Sequence, residues 1–144
     1  MDPRNLNAAN PPDLLLKTGE LHWSPFAPGI DFKVLRLDPV MGVWTILIRM
    51  DDGAELPPHK HLGAGEFLML EGRLEYRAGA AEAGDYGYEP NGVYHEATKA
   101  VGETRLLFTN HGPVAFLNPD DSIMMVLDWE LFRDNPEGLR ASEE

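Results

Sequence analysis

Gly53 to Gly72 reads GAELPPHKHLGAGEFLMLEG, and at its centre His59-Lys60-His61 sits in a glycine-rich surround. Residues two apart on a β-strand point to the same face. Two imidazoles on one strand face can converge on one metal ion. The stretch therefore predicts a strand-borne metal site, and a third ligand has to come from elsewhere in the chain.

The residues on either side of this stretch read as short strands. Upstream, Val43 to Met50 (VWTILIRM) is β-branched and aromatic at strand length. Phe32 to Leu37 alternates apolar and polar, and Glu20 to Trp23 reads as a first strand. Residues 1–17 form an arm rich in Asn and Pro, with a short helical turn expected at Asp13 to Lys17. Within the central stretch, Pro57-Pro58 keeps Ala54 to His61 extended but off a regular ladder. Glu66 to Glu71 and Arg73 to Arg77 read as two strands joined at Gly72, and Ala78 to Ala83 as a small-residue loop. Further on, Gly84 to Glu89 and Val93 to Ala97 flank a Pro90-Asn91-Gly92 turn. Glu103 to Asn110, Val114 to Leu117 and Ser122 to Leu127 complete the series. A capped helical turn follows at Asp128 to Arg133, continued through Pro136 to Ala141, and the tail Ser142 to Glu144 is expected to be solvated. Ten or so short strands with turns between them predict an all-β sandwich or barrel of the jelly-roll kind with a short C-terminal helix. One domain spans 1–144, with the barrel at roughly 30–127.

Composition narrows the chemistry. The chain of 144 residues is long enough to bury a core without staples. It has no cysteine, which removes disulfides, thiolate metal sites and cysteine nucleophiles together. Any metal must be held by His and carboxylate. A formal net charge of -12 argues against nucleic acid, whose phosphates need a basic footprint. No apolar run approaches the ~20 residues of a membrane span. The opening MDPRNLNAANPPDLLLK has no basic leader, and Leu14 to Leu16 is too short for a signal core, so a cytoplasmic protein is expected.

Gly84 to His95 reads GDYGYEPNGVYH: Gly84, five residues, Pro90, one residue, Gly92, two residues, His95. Taken with Gly53, His59, His61 and Glu66, this resembles the two signature motifs of the cupin superfamily, over roughly Val43 to Asn110. The resemblance implies a cupin-type jelly-roll β-barrel in which His59, His61 and His95 meet at a metal. Two positions depart from the pattern. The Asn that usually follows the second motif's His after three intervening residues is Lys99 here. The first motif's ligand Glu usually stands seven positions before the closing Gly, whereas Glu66 precedes Gly72 by six. Counted forward from His61, Glu66 is in the ligand position; counted back from Gly72, that position is Gly65. A one-residue slip turns a strand side chain to the opposite face. Three His ligands with Glu66 directed away are the expectation, and a fourth ligand at Glu66 is the alternative. His22 and His111 fall in no such frame.

Three neutral imidazoles suit Fe(II), Zn(II), Ni(II), Mn(II) or Cu(II), and spacing does not choose among them. HKHLGAGEFLMLEGRLEYRAG, GDYGYEPNGVYHEAT and FTNHGPVAFLN further resemble the single-domain cupins related to the acetylacetone-cleaving and 2,4'-dihydroxyacetophenone dioxygenases. That resemblance implies Fe(II), a small β-diketone or hydroxyketone, O2 and cleavage of a C–C bond, with Zn(II) or Ni(II) as ions that would also bind. It places Arg77 and Glu89 as a polar pair near the metal, Glu89 orienting the substrate or accepting its proton and Arg77 pairing with Glu89. Leu56, Phe67, Met69, Tyr94 and Phe108, with Trp44, are candidate pocket walls for an apolar ketone. A homodimer or higher homo-oligomer is expected by analogy with such barrels. The alternative function is a non-catalytic or non-redox metal cupin: a zinc-bound small-molecule sensor, a lyase or an isomerase.

Overall fold

The computed structural model describes residues 13–139. The first strands are β1 (Ser24–Ala27), β2 (Ile30–Leu37), β3 (Trp44–Met50), β4 (Glu55–Leu56) and β5 (His59–His61). They are followed by β6 (Gly65–Tyr76), β7 (Gly79–Glu82), β8 (Tyr86–Glu89) and β9 (Tyr94–His95). The chain then forms β10 (Thr98–Asn110), β11 (Val114–Leu117), β12 (Ile123–Leu127) and one α-helix, α1 (Trp129–Asp134). The fold is mostly antiparallel β, a jelly-roll barrel with one short C-terminal helix, as the sequence predicts.

Two sheets form the walls. The larger runs β1-β2-β3-β10-β6-β7, with β4 paired to β10 and β8 paired to β6; the smaller runs β12-β11-β5-β9. Period-two patterning sets what faces inward. On β3, Trp44, Ile46, Ile48 and Met50 are buried while the residues between them are only partly covered. On β10, Thr104, Leu106, Phe108 and Asn110 are buried in the same rhythm. The register aligns the two rows, with Ile48 opposite Leu106, Ile46 opposite Phe108 and Trp44 opposite Asn110. Phe26, Phe32, Phe116 and Leu127 close the core from the other strands.

Several local expectations change. Glu71-Gly72-Arg73 is not a junction between two strands, because β6 is continuous through it. The β6–β10 register shifts between Val101 and Arg105 there, and Gly72 has φ +79°. A Cβ on Gly72 would overlap the Glu103 carbonyl, so the glycine permits a bulge. The expected loop at Ala78 to Ala83 contains β7, which pairs with β6 from Arg73 opposite Glu82 to Tyr76 opposite Gly79. Asp13 to Lys17 forms no helix; a 3-10 turn follows at Thr18–Glu20, and the first strand begins at Ser24 rather than Glu20. The arm residues 1–12 and the tail expected to be solvated lie outside the described residues. Among the described residues no helix is long and apolar enough to cross a membrane.

Helix α1 starts where Asp128 Oδ1 accepts the Leu131 N–H at 2.8 Å, an ordinary N-cap. It ends at Asn135, whose Nδ2 donates to the Leu131 carbonyl at 2.8 Å, and Pro136 follows. The expected continuation from Pro136 is absent among the described residues, and Leu139 N–H instead bonds the Pro25 carbonyl at 2.8 Å. Phe132 is the helix's buried anchor, with its ring 5.1 Å from Phe32 and 5.0 Å from Trp44. Phe132→Ala should therefore lower unfolding free energy by about 3–5 kcal/mol in a urea titration, the usual loss for a fully buried aromatic.

Candidate metal centre

Pro57-Pro58 ends β4 and lets the chain re-enter as β5 in the smaller sheet. On β5, His59 and His61 are buried and Lys60 is exposed. The two imidazoles therefore share the inward face. Strand β9 pairs with β5 so that His95 stands directly opposite His59. The Pro90-Asn91-Gly92 turn is anchored by Gly92 N–H to the His61 carbonyl at 2.7 Å. That turn carries the chain from Glu89, at the end of β8, to His95. On β8, Gly87 and Glu89 point inward and Tyr86 and Tyr88 outward.

These elements bring His59, His61, His95 and Glu89 together, with one ligand atom of each within 4.8 Å of the others. Glu89 Oε2 lies 3.8 Å from His59 Nε2 and 3.6 Å from His95 Nε2, and it contacts His61 Nε2 directly. All four residues are buried. Burial pushes the Glu89 carboxyl upward, but the imidazoles of His59 and His61 outweigh it and hold the group at about 2. Burial is also the main cause that lowers the His95 imidazole below its ordinary value, only partly offset by Glu89. The neutral form with an available lone pair is therefore favoured.

The donor set fits a divalent metal. His61 Nε2, His95 Nε2 and Glu89 Oε2 are buried facing one another, with no hydrogen-bond partner outside the cluster among the described residues. Orphaned polar atoms facing one point are costly unless something binds them. Imidazole nitrogen with one carboxylate oxygen suits Fe(II), Zn(II) and the neighbouring ions. His59 Nδ1 lies 3.0 Å from the Pro57 carbonyl, which favours Nε2 as its ligand atom.

The position of Glu66 follows the count back from Gly72. It is Gly65 that faces the interior, and a Cβ there would lie 2.8 Å from His61 Cε1 and 3.0 Å from His61 Nδ1. Glu66 points outward, bonded to the Tyr86 hydroxyl and 3.3 Å from His111 Nε2. Those two contacts, the Tyr86 bond first, hold its carboxyl below the usual range. Glu89 stands directly opposite Gly65 on the paired strand. A carboxylate therefore does approach the three imidazoles, from β8 rather than from β6.

Other expected site residues lie in different places. Arg77 does not pair with Glu89 among the described residues; its Nη1 donates to the Tyr94 carbonyl at 2.9 Å. Its short loop carries the guanidinium onto the exposed surface. Leu56, Phe108 and Trp44 line a cavity of about 40 Å³ that also meets His59, His61 and Glu89. Phe67 and Met69 are buried but line the core away from that cavity, and Phe67 lies against Phe108 and Tyr76. Tyr94 alternates with His95, so it faces out, in an outer groove shared with Lys60 and Leu62. Asn110 and Thr98, which also line the cavity, were missed. The alternation that places Leu106 and Phe108 inward would have placed Asn110 inward as well.

The model of the ChrR cupin-like domain matches residues 11–115. The chain belongs to that family. A curated relative, the acetylacetone-cleaving enzyme of Acinetobacter johnsonii, is 26% identical over 125 residues, 79% of this chain and 82% of the relative. A solved structure assigned as an acetylacetone dioxygenase, from Methylibium petroleiphilum, superposes with a TM-score of 0.81 at 27% identity. It covers 91% of this chain and 97% of its own. The acetylacetone dioxygenase structure from A. johnsonii gives a TM-score of 0.75 at 25% identity, over 90% and 93% of the two chains. This chain is thus a cupin with an interior His/Glu cluster suited to a divalent metal.

The pKa directions predict how the site titrates. A lowered His95 value means that metal should still be held at pH 6.5, where an ordinary histidine is half protonated. It should be released only as the pH falls further. Chelator competition with Zn(II) from pH 7.5 to 5 measures this. For the metal-free protein, folded-state His95 and Glu89 both bind protons less readily than in the unfolded chain. Stability should therefore fall from about pH 6.5 downward, and again below the ordinary Glu value of 4.5 toward about 2, in urea midpoints measured across that range.

Proposed function

We propose that the protein is an Fe(II)-dependent dioxygenase that cleaves a C–C bond in a small, apolar β-diketone or hydroxyketone, with His59, His61 and His95 as the ligands. The observation that carries this reading is Gly65 in the inward position of β6. It leaves three imidazoles that would hold the ion, with the one carboxylate of the cluster, Glu89, on a different strand. The similarity to acetylacetone-cleaving relatives supports the substrate class.

When bound, Fe(II) supplies a Lewis acid that acidifies and orients a chelating dicarbonyl and a redox centre for reaction with O2. The chain's own residues do the rest. Glu89 is the one carboxylate in the cluster, and its position opposite Gly65 places Oε2 to take the proton from the carbon between two carbonyls. Leu56, Trp44 and Phe108 give the cavity apolar walls that exclude water and favour a neutral ketone over a carboxylate. At about 40 Å³ the cavity has room for only a few water-sized groups, so a diketone must widen it on entering.

One observation favours a second reading. His59, His61, His95 and Glu89 each bring a ligand atom within 4.8 Å of the others, which would make a closed set of three nitrogens and one oxygen, the kind of set a structural or non-redox Zn(II) centre uses. Metal analysis and an oxygen electrode separate the two. Protein loaded anaerobically with Fe(II) should consume O2 in step with loss of a β-diketone. An iron-loaded protein that consumes none across a panel of diketones and aryl hydroxyketones excludes the dioxygenase. Glu89→Gln should keep iron while lowering kcat by about 10²–10⁴, the range for loss of a general base. His95→Ala should lose the iron itself.

A further inference from the structure

Asn110 ends the inward row of β10 and is fully buried, with a relative exposure of 0%. Neither its Oδ1 nor its Nδ2 has a hydrogen-bond partner among the described residues. A buried amide with four unused hydrogen-bonding positions needs an explanation in a chain that otherwise fills this wall with Trp44, Ile46 and Phe108. His61, equally buried at 0%, has an unpartnered Nδ1 as well.

Gly65 lies between the two. It pairs with Asn110 across the β6–β10 ladder. A Cβ built on it would be 2.7 Å from Asn110 Oδ1 and 3.0 Å from His61 Nδ1. The missing side chain therefore leaves one small interior notch bordered by an amide oxygen and an imidazole nitrogen. An imidazole that offers Nε2 to a metal carries its proton on Nδ1, and that N–H needs an acceptor to fix the tautomer and ring orientation. His59 has such an acceptor in the Pro57 carbonyl.

We propose that Asn110 is a positioning residue for His61: the two groups border the notch left by Gly65 without bonding in this structure, and on metal binding the Asn110 side-chain carbonyl takes the His61 Nδ1–H, holding Nε2 toward the metal. The inference rests on the metal-site reading above and extends it beyond the ligands. It also gives Gly65 a second role. The position both withholds a carboxylate from β6 and keeps the path from Asn110 to His61 open.

The probe is Co(II), whose visible absorption reports both affinity and ligand geometry. The parent protein, Asn110→Leu, Asn110→Asp and Gly65→Ala are titrated against a competing chelator. Asn110→Leu should weaken Co(II) binding by about 10- to 100-fold, the usual effect of losing an outer partner of a metal-bound His. It should also alter the absorption bands without lowering the midpoint of the metal-free protein. Asn110→Asp, which keeps an acceptor oxygen, should bind within a few-fold of the parent, and Gly65→Ala should resemble Asn110→Leu. A second measurement needs no variant: in the Zn(II)-loaded parent the His61 Nδ1–H should appear in the proton spectrum as a slowly exchanging imidazole signal. An Asn110→Leu affinity within three-fold of the parent, or a rapidly exchanging His61 Nδ1–H, overturns the inference and leaves the metal site standing. A parent that binds neither Co(II) nor Zn(II) overturns both.

Discussion

Strand β6 is hydrogen-bonded on both edges near its start, with Gly65 opposite Glu89 on β8 and opposite Asn110 on β10. That double pairing fixes which face of the strand looks into the barrel. A strand held on one edge can slip; one held on both moves only with its neighbours. The pairing puts Gly65 inside and Glu66 outside. It also brings the ends of β8 and β10, and so Glu89 and Asn110, to the rim of the same small volume as His61. The composition of the metal centre is therefore settled by backbone register before any side chain is considered. The bulge at Gly72 belongs to the same constraint, because it sets the phase in which β6 meets β10 further along.

The centre is also a local exception to the physics that holds the barrel together. Around it the interior is aromatic and aliphatic, and burying such surface favours folding by roughly 25 cal/mol per Å². Three imidazoles, a carboxylate and an amide in that setting lose water and gain few hydrogen bonds in return. They persist because the strands that carry them are anchored elsewhere: β5 lies between β11 and β9, and β10 pairs with β3 along its apolar row. Apolar packing far from the site thus offsets the cost of the polar cluster. The same logic accounts for Glu89, whose ionised form survives burial only through the neighbouring imidazoles.

Much of this was legible in the sequence because period-two patterning and proline placement are local signals. VWTILIRM could only be a half-covered strand, and the histidines flanking Lys60 had to share a face. The two glycine counts around Glu66 even showed where the register question lay. What was not legible depends on contacts between distant segments. Ala78 to Ala83 has little intrinsic strand propensity; β7 exists because Arg73 and Leu74 on β6 face Glu82 and Ala81. Arg77 looked like a partner for Glu89, but the hairpin turn points its guanidinium to the Tyr94 carbonyl. Phe67, Met69 and Tyr94 are aromatic or apolar in the right neighbourhood; alternation turns Tyr94 outward and Phe67 and Met69 inward, yet none of the three lines the cavity. Asn110 closes the strand expected at Glu103 to Asn110, but a polar residue there signals a site only once its buried, unpartnered amide is in view.

Charge bookkeeping within the barrel narrows what the proposed enzyme accepts. With a divalent ion bound, three neutral imidazoles and one carboxylate would leave a single positive charge in a cavity lined by Trp44, Leu56 and Phe108. A neutral diketone enters without changing that sum. Moving its proton to Glu89 Oε2 changes nothing either, since the enolate charge appears as the carboxylate charge disappears. A keto acid already carries a negative charge and would have to shed the water around it to enter the same cavity. No guanidinium or ammonium group is among the described cavity walls to receive it, Arg77 being turned to the surface. A carboxylate could therefore pair only with the ion itself, whereas the carbonyls of a neutral diketone need no charged wall. In the proposed enzyme these apolar walls would suit a neutral C–H acid whose two oxygens reach one ion.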